Sequence, residues 1–97
     1  MSYLRFDWDE KKEQANLLKH SVSFEEARTV FFDENARLIA DPDHSDQEDR
    51  FILLGMSRNL RILVVVHAYR ENEELIRLIS ARKATKTEAK QYQRFLR

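Results

Sequence analysis

The sequence predicts an α+β fold whose elements run β-α-α-β-β-β-β-α: a mostly antiparallel sheet, two N-terminal helices on one face, and a C-terminal helix on the opposite face or an edge. Three observations lead there. Ser23 with Glu26 and Thr85 with Glu88 have capping-box spacing, each followed by apolar residues at helical intervals. Three apolar runs, residues 51–56, 61–69 and 74–82, succeed one another across connections of hairpin length. Between the helical and the strand-rich parts lies a polar stretch, residues 41–50, opened by Asp41-Pro42. Proline fixes its own φ and drives the preceding residue out of the helical region, so this stretch is expected to begin as an exposed loop.

Taken in order, residues 3–6 alternate weakly and are long enough for an edge strand. Asp7 with Glu10 has the spacing of a helix start, and the following helix is expected to reach His20, with Leu17 and Leu18 anchoring it to the core. Lys19 and His20 fall in its last turn, where positive charge interacts favourably with the carbonyl end of the dipole. In the second helix Phe24, Ala27, Val30 and Phe31 share one face, and Val22 is placed to staple onto Ala27. Residues 36–40 read as a strand. Ile62 to Val66 are apolar at every position, which predicts a central strand covered on both faces. Gly55 is the only glycine and marks a bulge or a close approach. In the last strand strict alternation sets Ile76, Leu78, Ser80 and Arg82 against Leu75, Arg77, Ile79 and Ala81, so Arg77 and Arg82 are expected on opposite faces. Ala89, Tyr92 and Leu96 form the apolar stripe of the last helix.

Ninety-seven residues suffice for one core and not for two, so a single domain over 1–97 is expected. The absence of cysteine excludes disulfides, thiolate nucleophiles and zinc ribbons, and fits a cytoplasmic protein. No signal segment or membrane span is expected. Seventeen basic and seventeen acidic residues cancel, but unevenly: residues 1–50 carry thirteen acids and seven bases, and residues 51–97 four acids and ten bases. The C-terminal half can therefore attract phosphate if its arginines share a surface; otherwise the two halves simply pair with each other.

The chemistry concentrates in the 41–50 stretch. Cleaving RNA without a metal needs a base for the 2′-hydroxyl proton, an acid for the departing 5′-oxygen and fixed positive charge on the phosphorane. Glu48, His44 and Arg50 are of those chemical types, and an imidazole titrates near working pH. Taken alone, His44 reads first as a solvated loop imidazole or one that caps a turn. Asp41, Asp43, His44, Asp46, Glu48 and Asp49 invite a metal-loop reading, but the glycine that an EF-hand turn requires is missing, and no metal or other cofactor is expected. Arg82 closes its strand, where it can reach toward a bound phosphate. His67 and Tyr92 read as core residues.

Ordered matches then accumulate along the chain: Phe6-Asp7-Trp8-Asp9, Lys12 and Asn16; Lys19-His20; Val22-Ser23-Phe24-Glu25-Glu26-Ala27; Val30-Phe31 and Asp33. They continue with Asp41, His44-Ser45, Glu48 and Arg50, then Gly55, Ser57 and Arg61, and end with Ile79-Ser80-Ala81-Arg82, Ala84, Glu88 and Tyr92. In these the sequence resembles the BrnT family of toxins from bacterial toxin–antitoxin pairs over nearly its whole length. The resemblance implies a RelE-like fold and an endoribonuclease that arrests growth. It also implies neutralisation by a BrnA-like antitoxin, whose other end binds operator DNA, so that DNA is reached only indirectly. Within that frame Glu48 is expected as base, His44 as acid or orienting group, Arg50 and Arg82 as phosphate-stabilising residues, and Arg61 and Lys19 as substrate contacts. Serine at position 21 and leucine at position 60 stand where the family usually carries glycine. A catalytically silent module that only holds an antitoxin in a repressor complex is the alternative, favoured by the neutral net charge.

Overall fold

The computed structural model describes residues 4–40 and 50–96. The elements are β1 (Arg5–Asp7), α1 (Glu10–His20), α2 (Phe24–Thr29) running into a 3-10 turn (Val30–Phe32), β2 (Arg37–Ala40), β3 (Arg50–Met56), β4 (Ile62–Arg70), β5 (Leu75–Lys83) and α3 (Lys86–Arg94). This is the expected order. The five strands lie in the order β1-β5-β4-β3-β2, antiparallel except for β1, which runs parallel to β5. The all-apolar run of β4 is the middle strand. Leu63 and Val65 face the α1/α2 side, and Val64 packs with Tyr92 of α3 on the other.

The helices cover the two faces differently. On the first face Val22, Phe24, Ala27 and Val30 meet Leu53, Leu63, Val65, Ile76, Leu78 and Ala81. On the second, α3 lays Tyr92 and Phe95 over Leu54, Ile52, Met56 and Ile62, and among the described residues no helix covers the other end of that face. Leu96, expected in the stripe, is 48% exposed, because α3 ends at Arg94 and Phe95 turns inward instead.

Helix α1 departs furthest from expectation. Its N-cap is Asp9, whose carboxylate accepts from the Lys11 and Lys12 N–H groups, while Asp7 stays in β1. Leu17 and Leu18 do not anchor it; they are 48% and 88% exposed. The inward face is polar. Glu13 accepts from the Phe24 N–H, and Asn16 donates to the Val22 and Ala81 carbonyls while accepting from the Ala81 N–H. Strand β1 pairs with β5 only as far as Arg77, so the Asn16 amide stands in for a neighbouring strand at Ala81. A buried edge group needs a hydrogen bond more than a methyl contact, and that requirement outranks the leucines here.

The capping box of α3 is complete, but that of α2 is half formed. Ser23 accepts from the Glu26 N–H, whereas the Glu26 carboxylate turns to Ser57 and Arg61 instead of closing the box. Gly55 marks a close approach and no bulge: a Cβ there would lie 2.8 Å from Ala36 Cβ and from Val30 Cγ1.

The bulge lies in β5. Val66 pairs with Ser80 and His67 with Leu78, so Ile79 is the extra residue. It resets the alternation, and Ile76, Leu78 and Ala81 all enter the first core. Arg77 and Arg82 therefore share the second face, contrary to the expectation from strict alternation.

Candidate functional site

Cross-strand partners project from the same side of a sheet. The row Arg50, Ala68, Arg77, Asp7 therefore crosses β3, β4, β5 and β1 on the second face, beyond the reach of α3. Next to it lie Arg70 and Leu75, paired at the end of β4 and the start of β5. A cleft of about 510 Å3 opens over these residues, and Lys12 of α1 reaches it from the side. Lys12, Arg50, Arg70 and Arg77 face Asp7 and Glu71 across it, an excess of cations among the described residues. Asp7 accepts from Arg77 at 3.1 Å and so fixes the position of that guanidinium, while Glu71 is also held by Arg5 at 2.6 Å.

A smaller cleft, about 220 Å3, shares Lys12 and Ile79 with the first and continues to Lys19 and His20. Lys12 and Lys19 are seven residues apart on α1 and hence on one face of it. The cationic lining thus extends from the β3 end of the sheet along α1.

The other anticipated arginines lie elsewhere. Arg82 is cross-strand from Val64, whereas Arg77 is cross-strand from Ala68, so about 13 Å of strand separates them. Arg82 makes two bonds to Glu88, at 2.8 and 2.9 Å, and these hold the Glu88 carboxyl down at about 2. Arg61 is in the hairpin turn at the far end of β3, about 20 Å of strand from Arg50. It donates to both carboxylate oxygens of Glu26 and to the Ser21 carbonyl. The bond from Arg61 also holds the Glu26 carboxyl below the usual range. His44 and Glu48 fall outside the described residues. Strand β2 ends at Ala40 and β3 begins at Arg50, the residue that opens the cationic row.

Two groups first read as core residues are core residues. His67 is fully buried among Phe31, Phe51 and Tyr69, and burial pushes its pKa down to about 4, so the ring is neutral. Tyr92 is buried under α3 and donates to Asp33 at 2.6 Å; burial, with the Asp33 carboxylate next, raises its pKa to about 12. Asp33 in turn accepts from the Met56 N–H, so a side chain completes the β3 edge beyond β2 as Asn16 completes that of β5.

Arg70, Arg77 and Lys12 had not been singled out as site residues from the sequence. Only the parallel pairing of β1 with β5 brings Asp7 to Arg77, and only the bulge at Ile79 turns Arg77 onto the open face. Neither leaves a recognisable sequence signal. The acid-rich first half could not reveal that its Lys12 would join the arginines of the second.

Among the described residues no helix is long and apolar enough to cross a membrane. The fold resembles that of the Brucella abortus ribonuclease toxin BrnT, known from a crystal structure at 1.1 Å resolution, with a TM-score of 0.67 at 24% identity, covering 87% of this chain and all of that one. A search of curated proteins finds no match. The family model described as "Ribonuclease toxin, BrnT, of type II toxin-antitoxin system" matches residues 8–88. That span runs from Trp8, beside the cleft acid Asp7, to Glu88, the partner of Arg82, and with it the chain belongs to the BrnT family of ribonuclease toxins of type II toxin–antitoxin systems.

Proposed function

We propose that this toxin cleaves RNA by metal-independent transesterification at the junction of the 41–49 segment with the cationic cleft. Glu48 takes the proton of a 2′-hydroxyl, whose oxygen attacks the adjacent phosphorus. His44 delivers a proton to the departing 5′-oxygen, leaving a 2′,3′-cyclic phosphate on one fragment and a 5′-hydroxyl on the other. Arg50 stabilises the extra negative charge of the phosphorane. The observation that carries this reading is the excess of cations beside Arg50, since an RNA strand is bound first through its phosphates.

In the same reading the strand runs past Arg70, Arg77 and Lys12 toward Lys19. Arg82 faces the same side of the sheet, but a phosphate there competes with Glu88 for the guanidinium. Arg61 acts mainly through Glu26, by holding the hairpin to the helices. The cognate antitoxin is BrnA-like, neutralises the toxin in the cytoplasm, and carries the complex to operator DNA. An acidic antitoxin segment laid along the cleft would silence the enzyme by occupying its phosphate site.

The test is cleavage of purified RNA in EDTA by the wild type and by folded His44→Ala, Glu48→Gln and Arg50→Ala proteins. Cleavage by the wild type alone supports the mechanism, and undiminished cleavage by a variant removes that side chain from it. A well-folded wild type that cuts nothing, with or without ribosomes, would instead favour the antitoxin-holding module.

A further inference from the structure

Another small cleft, of about 250 Å3, adjoins the cationic one at the same end of the sheet, and Arg70 and Glu71 line both. Its floor is aromatic and belongs to the first face, opposite the cationic row. Phe51 and Tyr69 are cross-strand neighbours in adjacent rows, half-buried, with ring centroids 5.2 Å apart. Its rim is the turn between β4 and β5, where Glu71, Asn72 and Glu73 all have left-handed backbone, with φ of 52°, 58° and 69°. Three such residues in succession curl the turn, and Glu73 lies near enough to the Tyr69 phenol to add to the upward push that burial exerts on its pKa.

We propose that this pocket seats an unpaired guanine base of the RNA whose phosphates lie on the cationic cleft, and so sets a sequence preference; the inference rests on the phosphate path described above. Arg70 and Glu71 line both clefts where the sheet ends, so a nucleotide whose phosphate Arg70 holds on the second face turns round that end to bring its base to the aromatic floor on the first. Single-stranded RNA is read by stacking splayed bases on aromatic rings and bonding their edges, which suits Phe51 and Tyr69. The rim decides which base. Glu73 is exposed and offers two acceptor oxygens, and Asn72 adds an amide. Guanine presents two adjacent donors, N1–H and the N2 amino group, to such a carboxylate. Adenine and cytosine place a ring-nitrogen acceptor beside their amino group, and uracil flanks its single N–H with two carbonyls, so each sets an acceptor against an acceptor. Glu71 is held by Arg5, which leaves Glu73 as the carboxylate best placed to read the base.

The experiment separates binding from cleavage. Short 2′-O-methyl oligouridylates, which cannot be cut, carry one internal guanine or inosine, and their affinities for the wild type and for Glu73→Gln are compared by fluorescence anisotropy. Inosine lacks only the N2 amino group. The wild type is expected to prefer guanine by about tenfold, the worth of one bond of a bidentate pair, and Glu73→Gln to bring the ratio near one. Equal affinities in the wild type, or a preference that survives in Glu73→Gln, would overturn the pocket. If unmodified RNA is cut with no preference for guanine near the scissile bond, the phosphate path stands and the pocket falls. If neither oligonucleotide binds, both fall. A guanine preference in binding without any cleavage keeps the pocket and removes the proposed catalysis.

Discussion

At the hairpin end of the sheet Arg61 lies against both carboxylate oxygens of Glu26 and the Ser21 carbonyl, and Arg82 makes two bonds to Glu88. At the opposite end Arg50, Arg70 and Arg77, with Lys12, line an open cleft against Asp7 and Glu71. The arginine is the same in both places; what differs is the helix overhead. Where α2 or α3 crosses the sheet it brings its own acid, and the guanidinium becomes a fastening between layers. Where none of the described helices crosses, cations remain in excess among the described residues, on a surface that a polyanion can enter. The neutral total charge conceals this, because it sums over an end where Arg61 and Arg82 are matched by Glu26 and Glu88 and an end where, among the described residues, cations outnumber acids.

The comparison breaks most severely if one end is substituted and the wrong property changes. Glu26→Ala leaves Arg61 without its carboxylate in a site where Glu26 is almost wholly buried. Removing one partner of a buried pair costs about 3 kcal/mol or more, with the half-exposed Arg61 keeping the loss toward the lower end. Urea denaturation is expected to show that loss, with RNA cleavage unchanged once the protein is folded. Arg77→Ala is expected to do the reverse: a change in stability of about 0.5 kcal/mol, as for a partly exposed ion pair, with cleavage reduced about tenfold or more for want of a phosphate contact. A stable but inactive Glu26→Ala, or a destabilised but fully active Arg77→Ala, would dissolve the distinction between fastening and reading arginines.

A second test concerns the core that underlies both ends. His67 ordinarily titrates near 6.5 and is held near 4 by burial among Phe31, Phe51 and Tyr69. Between those values the unfolded chain binds the proton and the folded one does not, so stability is full above about pH 6.5 and declines as the pH falls toward 4. The whole window is worth roughly 3 kcal/mol at most. Glu26 and Glu88, whose pKa values are lowered, lose their contribution only below the ordinary carboxylate range, so the His67 decline begins at higher pH than theirs. His67→Phe, which retains an aromatic ring in the cluster, is expected to flatten the stability profile between pH 6.5 and 4 relative to the wild type. Identical slopes would mean that the imidazole is not buried neutral.

Element types and their order were legible because each rests on local chemistry: capping residues, hairpin spacing and an uninterrupted apolar run in the central strand. Lost were features that local chemistry does not control. Leu17 and Leu18 looked like anchors because leucine usually is one, but α1 meets the unpaired edge of β5, where Asn16 supplies both a donor and an acceptor. Glu26 looked like the second half of a capping box, but a partly exposed guanidinium 35 residues away binds it more strongly than a backbone N–H would. The candidate site was half legible. Arg50 was chosen for its neighbours in sequence and opens the cationic row, whereas Arg70, Arg77 and Lys12 reach it through one parallel strand pair, one bulge and one helix face.

The smallest expected effect lies at the two positions where the sequence departs from the family's glycines. Ser21 ends α1 with φ of 58°, and Leu60 closes the hairpin turn with φ of 63°, so both side chains sit in left-handed backbone that glycine adopts without strain. Relieving that conformation is worth about 1–2 kcal/mol per residue, and the added freedom of glycine in the unfolded chain returns about 0.4–1 kcal/mol of it. Leu60 is 79% exposed, so truncating it sacrifices little burial. The Ser21 carbonyl that accepts from Arg61 belongs to the backbone and survives the change. Leu60→Gly and Ser21→Gly are each expected to stabilise the protein by about 0.5–1 kcal/mol in urea denaturation, and because both act on the fastened end, neither should alter RNA cleavage. Should Ser21→Gly destabilise instead, the serine hydroxyl must contribute to holding Arg61, and the fastening would include the Ser21 side chain as well as its carbonyl.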